Sequence, residues 1–217
     1  MNLWQADKIV NHYKQFFGKN SDPEMYFADG QDEGDFGVIV LHFLPSDTFP
    51  YQVLATVGAS EYKMPEKQSS AVSQRLEFMM FLDKDFDISK KENNWVVDFL
   101  LSVAYYPYES KASVSLWHTL DMFPEQDKIS DENHMTCGYI MLPHAVEDQG
   151  RKTILHLKKG LFGKITFLQV MPINRLELDE HMKNEHPYML EEKFYPDSEK
   201  PHVERAANTN FLTRAKR

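Results

Sequence analysis

A single cysteine, Cys137, stands among the 217 residues of the chain. No disulfide can close within it, and a reducing compartment is its natural setting. No uncharged apolar run approaches the ~20 residues a membrane-spanning helix requires. The opening stretch, MNLWQADKIVNHYKQFFGK, is charged throughout and lacks the apolar centre of a secretory leader. These absences predict a cytoplasmic protein with no membrane partner. The phosphate-binding patterns G-x-x-x-x-G-K-[ST] and G-x-G-x-x-G are also missing. GLFGK, at 160–164, has the wrong spacing, lacks Ser or Thr, and precedes a strand instead of a helix. Neither the nucleophile elbow G-x-S-x-G nor the zinc pattern H-E-x-x-H occurs.

Positive charge is in short supply. Lys and Arg number 24 against 33 Asp and Glu, giving a formal net charge of −9 and a pI near 5.5. A nucleic-acid binder needs cationic side chains to neutralise phosphates, so no nucleic acid is expected; a basic partner would suit this charge. What is abundant is core material: 42% of the residues are hydrophobic and 13% aromatic, with 15 Phe and 10 Tyr. Aromatic side chains remove the most area from water and should carry much of the burial.

Leu3, Ala6, Val10, Tyr13 and Phe17, widened by Ile9 and Phe16, repeat at helical spacing up to Gly18 and predict a helix over 2–18. Residues 21–35 hold six acids and no Lys or Arg, and read as a solvated loop. FGVIVLHFL (36–44) is apolar on both faces apart from His42, as in a strand covered on both sides. YQVLATVGAS (51–60) and QRLEFMMFLD (74–83) follow as strands. Trp95, Val96, Phe99, Leu100 and Val103 form a second helical stripe, ended by Tyr105, Tyr106 and Pro107. Strands are predicted at 113–120, 135–143, 152–157, after a turn through VEDQGR, and 164–173. Residues 175–194 read as helical, restarting near Pro187. Residues 205–217 carry four basic residues and no acid, and read as a mobile tail or docking arm. No internal repeat is present. The order predicts an α+β (mixed α/β) fold: a central, mostly antiparallel or mixed sheet covered by helices, in one domain over 1–195 with a polar, basic tail over 196–217.

Candidate chemistry is sparse. Ser115 and His118 lie three apart; on a strand their side chains face opposite ways and cannot form a nucleophile–base pair. His134 and Cys137 make H-x-x-C, but one cysteine cannot build a thiolate-rich zinc site. His181 and His186, beside Glu180 and Glu185, diverge by roughly 140° around a helix and share no face. His42 and His156 lie in apolar strands and read as core-edge histidines with satisfied hydrogen bonds. The carboxylate groups Asp83/Asp85/Asp87 and Asp131/Glu132 fall in polar connections, without a pocket to shift their pKa values. No metal, cofactor or catalytic residue is expected.

The stretch FLQVMPINRLELDEH, from 167, reads as a junction built for structure. Gln169 is one polar group in an apolar strand. Pro172 lacks an N–H and should stop the strand. Asn174 and Glu177 have the capping-box spacing at the start of a helix.

Several segments, in order over about 36–194, resemble the Suppressor of fused-like (SUFU) domain family. YQVLATVGAS with RLEFMMFLDKDF is similar to its Thr-x-Gly-x-Ser turn and the strand after it. NNWVVDFLLSVAYYPYESKASVSLWHTL is similar to its Trp-led helix, terminal proline and following His-Thr. YIMLP resembles a Leu-Leu-Pro strand end, and ITFLQVMPINRLELDEH a Phe-Leu-Gln-Val-x-Pro strand entering a Glu-rich helix. The chain departs from the pattern at Trp117, where the family often has glycine, and at Ala59, where it often has methionine.

The resemblance implies a protein-binding role. The eukaryotic namesake sequesters zinc-finger transcription factors by gripping an extended peptide between two halves, and this chain spans one domain. Bacterial single-domain members resemble immunity proteins that neutralise toxins, and many toxins are basic nucleases. The expectation is therefore a non-catalytic immunity (antitoxin-like) protein whose partner is a basic toxin. The alternatives are a regulatory adaptor that binds a peptide by strand addition, and a hydrolase or ligand-binding enzyme with a cleft at His118, Asp121 and His144. The expected binding surface is at the loop ends: Ser60 and Tyr62 within Ser60–Met64, Tyr106 and Tyr108, and Trp117, His118 and Thr119. Tyr and Trp are enriched at energetic hot spots.

Overall fold

The structure of the protein, a computed structural model, describes residues 3–18, 22–27, 37–47, 49–65, 72–125, 134–143, 154–159, 163–184, 186 and 188–194. The predicted VEDQGR turn, Asp131/Glu132, His144, Pro187 and the basic tail lie outside them. Helix α1 (Leu3–Phe17) is followed by strands β1 (Glu24–Phe27), β2 (Ile39–Phe43), β3 (Gln52–Val57) and β4 (Leu76–Leu82), then helix α2 (Trp95–Ser110). Strands β5 (Thr119–Asp121), β6 (Cys137–Met141), β7 (His156–Lys159) and β8 (Gly163–Ile173) precede helices α3 (Arg175–Lys183) and α4 (Met189–Phe194). The strands form one sheet in the order β1-β2-β3-β4-β8-β6-β5, with β7 also paired to β8. Only β4 and β8 run parallel; every other pair is antiparallel. The sheet is mixed and the fold α+β, as the sequence predicts.

Period-two alternation sends the two sides of each strand to different cores. Leu76, Phe78, Met80 and Leu82 of β4 pack with Val96, Phe99, Leu100 and Val103 of α2. Met79 and Phe81, from the same strand, pack with Ile9, Tyr13 and Phe17 of α1. A helix on each face explains why the central strands are apolar on both sides. Within α1, Ile9, Tyr13 and Phe17 are spaced by four and fully buried, Phe17 packing against Phe43, Phe49 and Phe81.

Several elements depart from the sequence expectation. Part of the acidic stretch, Glu24–Phe27, is a strand and not a loop: Glu24 meets buried His42 on β2 at 3.2 Å, and Tyr26 packs against the α2-side core. Helix α2 runs through Pro107 to Ser110, where Lys111 in the left-handed region ends it. Near a helix end the missing N–H costs one bond, and the proline ring is buried. Pro172 does not stop β8. It pairs with Gly138, and the β4 ladder already ends at Gln169, leaving a side on which no strand bond is lost. Regular pairing begins only at Thr119, because Trp117 has φ 64 and turns the chain. His156 is exposed and not buried in a core edge, its Nδ1 3.4 Å from Thr166 Oγ1. His42 is buried and satisfied, as expected, with Nε2 2.7 Å from Gln52 Oε1. The capping box at Asn174 and Glu177 is present with both of its bonds.

The turn after β3 is held by a residue the sequence reading passes over. Glu77 of β4 is wholly buried. Its carboxylate accepts from Thr56 Oγ1 at 2.6 Å and from the N–H groups of Gly58 and Ser60 at 3.1 Å each. Thr56 Oγ1 in turn accepts from the Phe78 N–H at 2.8 Å. Arg75 Nη1 donates to the Ser60 and Glu61 carbonyls at 2.7 Å each. The Thr-x-Gly-x-Ser turn is thus clamped from β4 at Thr56, Gly58 and Ser60. Burial raises the Glu77 pKa to about 7, against the lowering effect of these hydrogen bonds. Burial, with the Glu77 charge beside it, also pushes the Tyr13 hydroxyl of α1 well above its usual range.

Two outcomes follow from the clamp. Gly58 has φ 118, and a Cβ there would lie 2.3 Å from the Gly37 carbonyl oxygen. Gly58→Ala is expected to lower stability by roughly 3 kcal/mol or more, read as a fall in the urea midpoint at unchanged slope. Glu77 binds its proton more tightly folded than unfolded. Its contribution is complete below about pH 4.5 and is lost as pH rises through about 7. Relative to Glu77→Gln, the wild type is expected to lose about 3 kcal/mol between those values. Parallel urea-midpoint profiles for the two proteins across that range would contradict this assignment.

Candidate functional site

A groove of about 670 Å³ runs along helix α2. The helix supplies Asp98, Leu101, Ser102, Tyr105, Tyr106 and Glu109, spaced by three and four so that they fall on one side of it. Phe27, the last residue of β1, forms one wall; Asp121 and Met122, at the end of β5, form the other. β1 and β5 stand at opposite ends of the strand order. Both reach the same groove because the twisted sheet curls around the helix it carries.

The groove is firmly supported. Leu101 is buried and anchors the floor. The Tyr105 hydroxyl accepts from the Val38 N–H at 3.3 Å, tying the helix to the segment before β2. Asp121 is paired with Arg175 of α3, whose other guanidinium nitrogen donates to the Phe123 carbonyl at 3.1 Å. Asp98 and Glu109 are exposed. The described lining therefore contains three carboxylates, two tyrosines and no cation. Such a surface attracts cationic, partly apolar groups.

The residues expected at the binding surface are dispersed. Tyr106 lines the groove. Ser60 is fully buried, with its N–H on Glu77, so it presents nothing to a partner. Tyr62 and Tyr108 meet edge to face at 5.5 Å, and Lys111 Nζ sits 4.0 Å from the Tyr108 ring centre, a cation–π contact within the chain. Trp117 is half-buried against the C-terminal segment: its indole N–H donates to Glu191 at 2.9 Å and its ring meets Tyr188 at 4.5 Å. The His118 backbone N–H bonds the Ser115 carbonyl at 3.3 Å, and its carbonyl accepts from the Ile140 N–H at 2.9 Å. The Thr119 hydroxyl faces Met182 of α3. The structure thus sets Trp117 and Thr119, both half-buried, against the C-terminal helices and leaves Tyr106 at the groove.

Asp98 and Glu109, missed by the sequence reading, carry the groove's charge. Their spacing of eleven was the available signal, since eleven residues make close to three helical turns. No three His, Cys, Asp or Glu side chains among the described residues come together as a metal site. Buried Cys137 has its thiol raised by desolvation first, and lies 4.0 Å from Asp121. Burial lowers the His181 pKa, and its ring packs on Tyr139 at 5.6 Å. No described helix is long and apolar enough to cross a membrane.

Comparison with known proteins gives a consistent answer. The crystal structure of a SUFU (suppressor of fused protein) homolog from Neisseria gonorrhoeae superposes with a TM-score of 0.61 at 12% identity, covering 94% of this chain and 95% of that one. The Sufu–Fu complex crystal structure gives a TM-score of 0.56 at 12% identity, covering 98% and 97%. At such identity these likenesses establish the fold. No curated protein sequence gives a significant match. A family model, Suppressor of fused protein (SUFU), matches residues 35–202, and the chain belongs to that family.

Proposed function

We propose that this protein works by contact and not by catalysis, as a binding module for a basic protein, and that its role is that of an immunity protein neutralising a toxin. The observation that carries the reading is the groove: Tyr105 and Tyr106 along the helix, Phe27 at one wall and carboxylates at Asp98, Glu109 and Asp121, with no cation among the described lining residues. A net charge of −9 extends the same field over the molecule. Complementary charge speeds encounter and selects partners, while apolar and aromatic contacts hold them. The Sufu–Fu complex, a similar fold bound to another protein, supports contact as the mode of action.

An enzymatic cleft formed by His118, Asp121 and His144 has less support. His144 lies outside the described residues. Asp121 is engaged by Arg175. The groove takes in Asp121 but not His118.

The test is co-expression with a candidate toxin taken from the genes neighbouring its own. Protection is expected, and unchanged killing overturns the immunity role. Asp98→Lys combined with Glu109→Lys changes only exposed side chains. It is expected to slow association with the toxin by roughly tenfold at low salt, with a smaller effect at high salt. An unchanged association rate would remove the groove from the interface.

A further inference from the structure

The second surface is the outer edge of β1. Among the described residues this strand pairs only with β2, and the N–H and C=O groups along its other edge have no described strand partner. Natural sheets blunt such edges with lysine, proline or inward-pointing charge, because an open edge recruits other chains. Glu24–Phe27, EMYF, has no lysine or proline, its one charge is engaged with His42, and it exposes two large apolar side chains, Met25 at 60% and Phe27 at 63%. With period-two alternation they share one face of the strand, while Glu24 and Tyr26 take the other.

The strand is also held in place before any partner arrives. Glu24 reaches His42 Nδ1, and His42 Nε2 reaches Gln52 Oε1. The Gln52 amide nitrogen contacts the carbonyls of Asp83, Lys84 and Phe86, which fixes its orientation. A strand fixed in this way loses little freedom on pairing.

We propose that the outer edge of β1 docks an extended, basic segment of a partner protein by strand addition. Two arguments on charge and place select that occupant. The stretch from 21 to 35, which contains β1, has six acids and no Lys or Arg. The strand is continuous with the acidic groove, since Phe27 belongs to both. A segment alternating apolar and cationic residues would lay its apolar side chains across Met25 and Phe27 and its cations against Glu24. The proposal rests on the protein-binding reading but not on the identity of a toxin.

The probe is an acetylated ten-residue peptide alternating lysine and valine, added to the full chain at low salt and followed by fluorescence anisotropy and amide hydrogen exchange. The control alternates proline with Nα-methylated lysine, which keeps the charge but leaves no backbone N–H for pairing. The valine peptide is expected to bind at least roughly tenfold more tightly, to slow exchange at residues 24–27, and to lose that advantage in Met25→Lys/Phe27→Lys. Equal binding of the two peptides, no binding, or protection confined to other segments overturns the proposal. Asp98→Lys/Glu109→Lys separates the two surfaces. If that variant still binds the valine peptide at β1, strand docking stands even where toxin protection fails; toxin protection without peptide pairing leaves the groove and removes the edge.

Discussion

A carboxylate shut away from water has to be given donors, and Glu77 is given three of them, from one turn. The Thr56 hydroxyl and the N–H groups of Gly58 and Ser60 converge on a side chain whose neighbours are otherwise a sheet and an apolar helix face. Leaving any of them unmatched in this setting would cost roughly 1–3 kcal/mol. The clamp therefore fixes where β3 stops and how the chain leaves it. Gly58 supplies the backbone shape, and Arg75 secures the carbonyls on the far side of the turn. The raised pKa is the sign of how dry the site is. The same burial that makes the bonds strong makes the charge costly.

From that fixed centre the sheet extends in both directions with a helix on each face. The α1 side is an aromatic cluster, in which Tyr13, Phe17, Phe43, Phe49, Phe81 and Phe167 meet at centroid distances of 5.0 to 6.2 Å. The α2 side is more aliphatic, and it is there that the sheet curls far enough for its two end strands to border one groove. The helix face in that groove cannot be wholly apolar, since it meets water, and here it carries acids and tyrosines. Shape and charge at this surface thus come from one helix serving two solvents. Val96, Phe99, Leu100 and Val103 face the core; Asp98, Ser102 and Glu109 face out.

Much of this architecture was legible in the residues. The α1 stripe, the two-sided apolar strands and the Asn174 capping box each depend on neighbours in sequence, and each is found where the pattern puts it. The departures are the places where a distant partner overrides a local rule. EMYF, inside an acidic stretch, becomes a strand because β2 offers it an antiparallel edge, with His42 opposite Glu24. Pro172 is tolerated because β4 has already stopped pairing with β8. Trp117, in a segment of strand-like composition, adopts a left-handed backbone where its indole reaches Glu191 on α4, seventy-four residues away. None of those partners is marked in the local sequence.

The candidate site divides in the same way. The sequence by itself determined the acidic charge, the SUFU-type motifs and the surplus of aromatics, because composition and short-range spacing are properties of the chain before it folds. Only the tertiary structure decided that Ser60 is interior, that Trp117 is bonded to Glu191 of the last helix, and that Tyr105 and Tyr106 join Asp98, Glu109 and Asp121 around one groove. Burial and convergence are relations between segments far apart in sequence, fixed by which strand edges pair and which faces the helices cover. A residue type can say that a side chain suits a surface; the packed sheet determines whether it reaches one.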